Sequence, residues 1–170
     1  MQYLPQDLQI GGCIVNDTVI RGRMGLASHV GHMAIQRDGL RCGCGNTGCW
    51  EAYAAGPAFA ARASKAMGQT VQPTEVFALA RQGDDIAQQQ VREQAKLLGI
   101  GLTSLLHLFS PQKIIVGGGL TNAWDQLSPG INAYIQSNAM SSFRDVPVVT
   151  AGLGGNSGLI GAAALVFAQH

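Results

Sequence analysis

The sequence predicts an α/β fold in which helices cover a mixed β-sheet, and two observations support this. The predicted elements run in the order hairpin, third strand, helices, then strand, helix, strand, helix, which is typical of such a sheet. Hydrophobic residues make up 46% of the 170 residues, enough to form a core. Since no internal repeat or linker is present, we predict a single domain over residues 1–170.

The first part of the chain is predicted to contain three strands and a loop. Asn16 and Asp17 tolerate positive φ and are suited to a hairpin turn. The glycine-rich segment Gly39–Gly48 is predicted to be a loop. The predicted strands are Leu8 to Val15, Thr18 to Gly22, and His32 to Gln36.

The remainder of the chain is predicted to be mainly helical, with turn residues marking the ends. Gly68 would stop the first helix, Thr74 is a candidate N-cap of the second, and Asp84 or Asp85 would begin the third. The predicted helices are Trp50 to Met67, Pro73 to Gly83, Asp84 to Phe109, Trp124 to Asn138 and Leu159 to Ala168. The predicted strands are Lys113 to Val116 and Val146 to Thr150, with a second glycine-rich loop from Gly152 to Gly158.

Composition excludes several functional classes. The 11 basic and 10 acidic residues nearly cancel, so we expect neither direct nucleic-acid binding nor a polybasic membrane contact. The first ten residues lack the pattern of a signal peptide. The longest apolar stretch, Leu97 to Phe109, is too short to cross a bilayer. We therefore expect a cytoplasmic protein without a membrane partner.

Three cysteines lie within eight residues and predict a metal site. Cys42, Cys44 and Cys49 alternate with glycines, and His32 lies ten residues upstream. Three thiolates and one imidazole are the closed tetrahedral ligand set of structural zinc. The alternative is a group of buried or reactive thiols without metal. Cys13 stands apart and is interpreted as a small core residue.

The motifs around this cluster resemble those of the ROK family. The residues that carry the resemblance are Gly31-His32 and the pattern Cys-Gly-Cys-Gly-x-x-Gly-Cys-x-Glu from Cys42 to Glu51. That family comprises bacterial sugar kinases, sugar-responsive repressors and kinases of amino sugars. Three further segments are similar to the family's phosphate-binding hairpin, adenosine-side segment and C-terminal helix: residues 10–15, 114–120 and 158–163.

The resemblance implies the C-terminal lobe of an actin-like, ribonuclease-H-like ATPase fold, with defined roles for several residues. His32, His29 and Glu51 would face a hexose or amino sugar, and His32 would also bind Zn²⁺. ATP, with Mg²⁺, would bind only when this lobe is paired with the lobe that the chain lacks. The residues expected on the nucleotide side are Gly11, Gly12, Gly117, Gly118 and Gly119.

The chain departs from the family pattern at three places. His29 occupies the position of a sugar-binding glutamate in the family's Glu-x-Gly-His motif. Asp7-Leu8-Gln9 stands where the phosphate-binding hairpin usually begins Gly-Thr-Gly. In the family, the N-terminal lobe carries an Asn-Asp pair whose aspartate is the general base, and we expect that lobe to be absent from this chain. Asn16-Asp17 is not that pair, because it lies at the predicted hairpin turn. We therefore expect the isolated chain to lack kinase activity and to have no catalytic residue of its own.

Three functional interpretations follow. The chain is the C-terminal half of an ATP-dependent, glucokinase-like hexose kinase, or the sugar-sensing half of a ROK-type repressor. The third interpretation is a non-catalytic, zinc-stabilised lobe that forms a homodimer. The homodimer would form through the surface that normally faces the other lobe. The retained Gly117–Gly119 segment favours kinase ancestry, whereas His29 favours loss of catalysis.

Overall fold

The computed structural model describes residues 11–153 and 157–167. The hairpin comprises β1 (Ile14–Val15) and β2 (Thr18–Val19). Six helices follow in the described residues: α1 (Glu51–Ala54), α2 (Gly56–Met67), α3 (Pro73–Arg81), α4 (Asp85–Phe109), α5 (Trp124–Asn138) and α6 (Ser157–Phe167). Strand β3 (Ile114–Val116) precedes α5, and β4 (Val148–Thr150) precedes α6. Short 3₁₀ helices span Arg23–Gly25, Val30–His32, Gly119–Ala123 and Ser141–Phe143.

The strands form two separate two-stranded sheets within the described residues. β1 and β2 pair antiparallel, with Ile14 opposite Val19. The turn between them has the predicted positive φ at Asn16 and Asp17, 49° and 59°. β3 and β4 pair in parallel, with Ile115 opposite Val149. Antiparallel and parallel pairing, the two kinds expected of a mixed sheet, are therefore both present, but in separate sheets. Residues 8–10, predicted to begin the first strand, lie outside the described part.

The core lies between helices α2, α3, α4 and α5. Helix α4 runs through its centre and packs against the other three. Its glycines allow close approach, since a Cβ at Gly101 would overlap the Trp50 indole and one at Gly99 would press on the Tyr134 ring. The largest side chains that are fully buried here are Phe59, Val76, Gln94, Leu106, Leu127 and Ile131.

Several predicted element boundaries are confirmed. Helix α5 spans the predicted residues, Gly68 ends α2 in the left-handed conformation, and α4 begins after Asp84. The Asp84 carboxylate accepts a hydrogen bond from the Ala87 N–H at 2.8 Å, as an N-cap does. None of the helices in the residues described is long and apolar enough to cross a membrane.

Three predictions of local structure are wrong. His32–Gln36 is not a strand: Val30–His32 forms a 3₁₀ turn, and Ala34 makes an isolated bridge with Cys49. The N-cap of α3 is Gln72 and not Thr74, because Pro73 occupies the first helical turn and so places the cap before it.

The third error concerns the predicted helix from Trp50 to Met67. It is divided at Ala55, which has an extended conformation with ψ 156°. Pro57 follows within the first turn of α2 and lacks the N–H that a continuous helix would require. The result is a single-turn helix, α1, that directly follows the predicted metal cluster.

Candidate metal centre

The four predicted metal ligands come together in the fold. The ligand atoms of His32, Cys42, Cys44 and Cys49 all lie within 4.8 Å of one another. His32 comes from the 3₁₀ turn, Cys42 and Cys44 from the loop, and Cys49 from the end of the loop just before α1. The predicted convergence of these four side chains is therefore confirmed, and the cluster could hold a metal ion.

Two distances between ligand atoms fit a tetrahedral zinc site. The Cys44 and Cys49 sulfurs are 3.7 Å apart, and the Cys42 sulfur lies 3.6 Å from His32 Nδ1. Tetrahedral zinc with ordinary bond lengths requires about 3.8 Å between two sulfurs and about 3.6 Å between sulfur and nitrogen. The donor set and these two distances are therefore compatible with a bound zinc ion.

Backbone hydrogen bonds and one glycine shape the loop around the cluster. The Cys42 N–H donates to the Asn46 carbonyl at 2.9 Å, and the Gly48 N–H donates to the Leu40 carbonyl at 2.8 Å. Gly48 has φ 77°, and a Cβ there would overlap the Gln36 carbonyl oxygen. Gly43, by contrast, has no positive φ and open space around it. The cluster thus requires glycine at 48 and not at 43.

The thiols differ in their electrostatic surroundings. Burial raises the pKa of the Cys49 thiol to about 12, and hydrogen bonds with the two other thiols act in the same direction. The pKa of Cys44 is lowered, mainly by a hydrogen bond from the Asn46 backbone. A divalent cation favours the thiolate form of every ligand cysteine, so binding would release protons from this cluster.

The predicted sugar-side residues lie beside the metal ligands. Glu51 is the first residue of α1, and its Oε1 lies 3.8 Å from the Cys42 sulfur. The ring of His29 stacks on that of His32 at 6.2 Å between centroids, and its Nδ1 lies 3.0 Å from the Leu26 carbonyl oxygen. A cavity of about 200 Å³ opens beside Glu51, between Arg41 of the loop and Pro57 of α2.

The predicted nucleotide-side glycines fall into two groups. Gly11 and Gly12 line a cavity of about 320 Å³ between the hairpin and β3. Gly117–Gly119 follow β3, and Gly118 has φ 96° before a 3₁₀ turn. Among the lining residues in the described part of the chain, this second group does not contribute to the 320 Å³ cavity. The segment Asp7–Gln9, which departs from the family pattern, lies outside the described residues.

Two further predictions concern single residues. Cys13, interpreted as a core residue, is a free thiol of intermediate exposure that lines the same cavity as Gly11. Tyr53 was not predicted to take part in the site, yet its hydroxyl accepts a hydrogen bond from the Leu40 N–H at 2.6 Å. Pro57 in an otherwise helical pattern is the signal that could have identified α1 as a separate element.

Comparison with known proteins gives a consistent result. The sequence profile of the ROK family matches residues 10–169. The glucokinase of Streptomyces coelicolor is 37% identical, over 91% of this chain and 55% of its own length. The regulator NagC of Escherichia coli is 34% identical, over 91% of this chain and 40% of its own length.

Comparison with solved structures leads to the same family. A ROK family glucokinase from Streptomyces griseus, in complex with glucose and AMPPNP, is 34% identical with a TM-score of 0.79, covering 91% of this chain and 55% of that one. The ROK hexokinase of Thermus thermophilus is 35% identical with a TM-score of 0.75, covering 91% and 52%. The chain therefore spans about half the length of these relatives, has the actin-like fold of one of their lobes, and belongs to the ROK family.

Proposed function

We propose that this chain is the zinc-stabilised, sugar-binding half of a ROK-type hexose kinase. One observation carries the proposal: Glu51 Oε1 and His32 Nδ1 lie 3.8 and 3.6 Å from the same sulfur, that of Cys42. Zinc bound by the four ligands would fix the loop and thus the position of both groups. A carboxylate next to an imidazole can accept hydrogen bonds from neighbouring sugar hydroxyls.

The proposed division of roles follows from the chemistry of the side chains. His32 would bind zinc through one ring nitrogen and contact the sugar, while Glu51 would accept from its hydroxyls. His29, stacked on His32, would take the place of a glutamate. A neutral imidazole accepts one hydrogen bond where a carboxylate accepts several, so we expect weaker sugar binding than a Glu-x-Gly-His site would give.

The nucleotide would contact the glycines at 11, 12 and 117–119. Phosphoryl transfer depends on positioning, charge neutralisation and a base at the attacking hydroxyl. The family resemblance places that base in the N-terminal lobe, so the 170-residue chain is expected to bind the sugar without phosphorylating it. Hexose-dependent ATP turnover by the purified chain would refute this expectation.

Calorimetric titration of the zinc-loaded chain with glucose and with N-acetylglucosamine tests the proposal. We expect binding of at least one sugar, and Glu51→Gln should weaken it by about tenfold or more because a charged acceptor is lost. Asp145→Asn, at an exposed carboxylate outside the site, is the control. Equal affinity of Glu51→Gln and the unmodified chain would contradict the role of Glu51.

The sugar-sensing half of a repressor is the second candidate, supported by the 34% identity to NagC over 91% of this chain. The two candidate functions differ in whether the chain is expected to bind a nucleotide. A kinase half is expected to bind AMPPNP through the glycine segments, whereas a sensor needs only the sugar. Sugar binding without nucleotide binding would favour the sensor.

A further inference from the structure

Helix α1 ends without the hydrogen bonds that a continuous helix would provide. In an uninterrupted helix the N–H groups of residues 57 and 58 would donate to the carbonyls of Tyr53 and Ala54. Residue 57 is proline, and the extended conformation of Ala55 turns the chain away. Two carbonyl groups at the C-terminus of α1 therefore need other donors.

Two side chains from other helices supply those donors. Arg62 Nη1 of α2 donates to the Tyr53 carbonyl at 2.9 Å, and Gln94 Nε2 of α4 donates to the Ala54 carbonyl at 2.7 Å. The same two side chains bind each other, since Arg62 Nη2 donates to Gln94 Oε1 at 2.8 Å. Gln94 is fully buried, so its hydrogen bonds are not exchanged for water.

Further contacts hold Arg62 in place. Its Nε donates to Gln90 Oε1 at 3.3 Å, and its guanidinium lies 5.4 Å from the centre of the Phe59 ring. Burial lowers the pKa of Arg62, while the charge of Glu93 opposes this shift. An arginine remains a cation under such conditions, and a cation at the C-terminus of a helix is favourable.

The helix held in this way carries the parts of the site that follow the loop. Cys49 lies two residues before it, and Glu51 is its first residue. Tyr53 of α1 also accepts a hydrogen bond from the Leu40 N–H through its hydroxyl, which attaches α1 to the start of the loop. Any tilt of α1 would therefore change the arrangement of the metal ligands and of Glu51 together.

We infer that Arg62 and Gln94 are positioning residues of the metal and sugar site. They bridge the C-terminal carbonyls of α1 to α2 and α4 and so fix the direction in which Cys49 and Glu51 point. Neither residue touches the metal ligands or the proposed sugar position directly in the contacts described. The part of the inference that concerns Glu51 rests on the proposed function, whereas the part that concerns the metal ligands does not.

Gln94→Met tests the inference, because methionine has a similar shape and no amide. Gln88→Met is the matched control: Gln88 also lies on α4 and its Nε2 also donates to a carbonyl, that of Ala80 at 3.3 Å, but away from α1. The readouts are the absorption spectrum of the Co²⁺-loaded chain and the Zn²⁺ affinity measured against a competing chelator. A merely structural role would lower the melting temperature and leave both readouts unchanged.

We expect Gln94→Met to shift the Co²⁺ bands and to weaken Zn²⁺ binding at least tenfold, while Gln88→Met stays within twofold of the unmodified chain. Arg62→Lys keeps the charge but cannot bridge the Tyr53 carbonyl and Gln94 at once, so it should change both readouts in the same direction. If Gln94→Met does not fold, Arg62→Lys tests the inference in its place. A folded variant with an unchanged spectrum and affinity would overturn the inference.

Titration with the sugars separates this inference from the proposed function. If the unmodified chain binds a sugar, Gln94→Met should weaken that binding and Gln88→Met should not. If the unmodified chain binds Zn²⁺ but neither sugar, the proposed function fails. The Co²⁺ and Zn²⁺ measurements then still support or overturn the positioning role.

Discussion

The metal loop, residues 29–51, and the helical body, α2 to α5, are held together in different ways. In the helical body, apolar side chains from four helices are fully or almost fully buried. In the metal loop, the buried residues are chiefly two cysteines, two glycines and Trp50. The loop instead has short backbone hydrogen bonds and four converging ligand atoms.

The difference teaches that one chain uses two sources of stability. Burial of apolar surface stabilises the body at about 25 cal/mol per Å². The metal loop buries few apolar side chains. We therefore expect it to depend on cross-links between its own segments, as small metal-binding domains do. The two regions should therefore unfold separately. Loss of a metal ligand should affect the metal loop, and loss of buried apolar volume should affect the helical body.

The largest expected effect is the loss of a metal ligand. Cys49→Ser should lower the Zn²⁺ affinity by about 100-fold or more, since three ligands no longer close the tetrahedron. In hydrogen exchange, amides of the loop should lose protection while those of α4 keep it. Cys13→Ser, outside the cluster, is the control and should change neither quantity. Loss of protection in α4 with Cys49→Ser would show that the regions are not separable.

Removal of apolar volume from the body should have the next largest effect. Leu127 on α5 is fully buried, so Leu127→Ala should lower the free energy of unfolding by about 2–5 kcal/mol in urea. Leu108→Ala on α4, where the side chain is 67% exposed, should change it by less than about 0.5 kcal/mol. The Zn²⁺ stoichiometry of the folded Leu127→Ala protein should not change.

A smaller effect is expected from a change of the loop backbone. Gly48→Ala should cost about 1–2 kcal/mol for the positive φ alone, and the overlap with the Gln36 carbonyl adds to this cost. Zn²⁺ affinity, measured by chelator competition, should fall accordingly. Gly43→Ala offers the same change in the same loop without either problem and should bind Zn²⁺ normally. Identical behaviour of the two variants would contradict the loop geometry.

The smallest expected effect lies where the two regions meet. The Trp50 indole N–H donates to the Leu97 carbonyl of α4 at 2.7 Å. Trp50→Phe removes this hydrogen bond at a cost of about 0.5–1.5 kcal/mol. The melting temperature should fall slightly and hydrogen exchange of the loop amides should rise slightly, because Trp50 contacts both regions. Trp124→Phe on α5 should leave loop exchange unchanged.

Local signals explain which parts could be predicted from the sequence. The metal ligands lie within 18 positions of one another with glycines between them, so their spacing alone indicates convergence. Helix α4 is marked by an aspartate cap at its start and by Ser110-Pro111 at its end. The identification of the ROK pattern rests on the same local motifs, and the comparisons confirm it.

The parts that were not predicted depend on distant contacts. The five residues His32–Gln36 fit a strand by composition, yet the described structure offers Ala34 only a single bridge, with Cys49. The contact between Arg62 and Gln94 joins positions 32 residues apart, and polar residues on a helix usually face water. No pattern in the sequence reveals that the break at Pro57 leaves carbonyls for them to bind. The sugar and nucleotide roles of the predicted residues stay predictions.

The two glycines of α4 also have a consequence for how the chain folds. Gly99 and Gly101 allow Tyr134 and Trp50 to pack on α4, yet each lowers its intrinsic helix propensity by about 1 kcal/mol relative to alanine. A peptide of residues 85–109 alone should therefore be poorly helical. Packing of the Trp50 and Tyr134 rings should stabilise this segment as a helix. We therefore expect α4 to form together with α5 and the Trp50 ring, while the rest of the metal loop can still unfold separately.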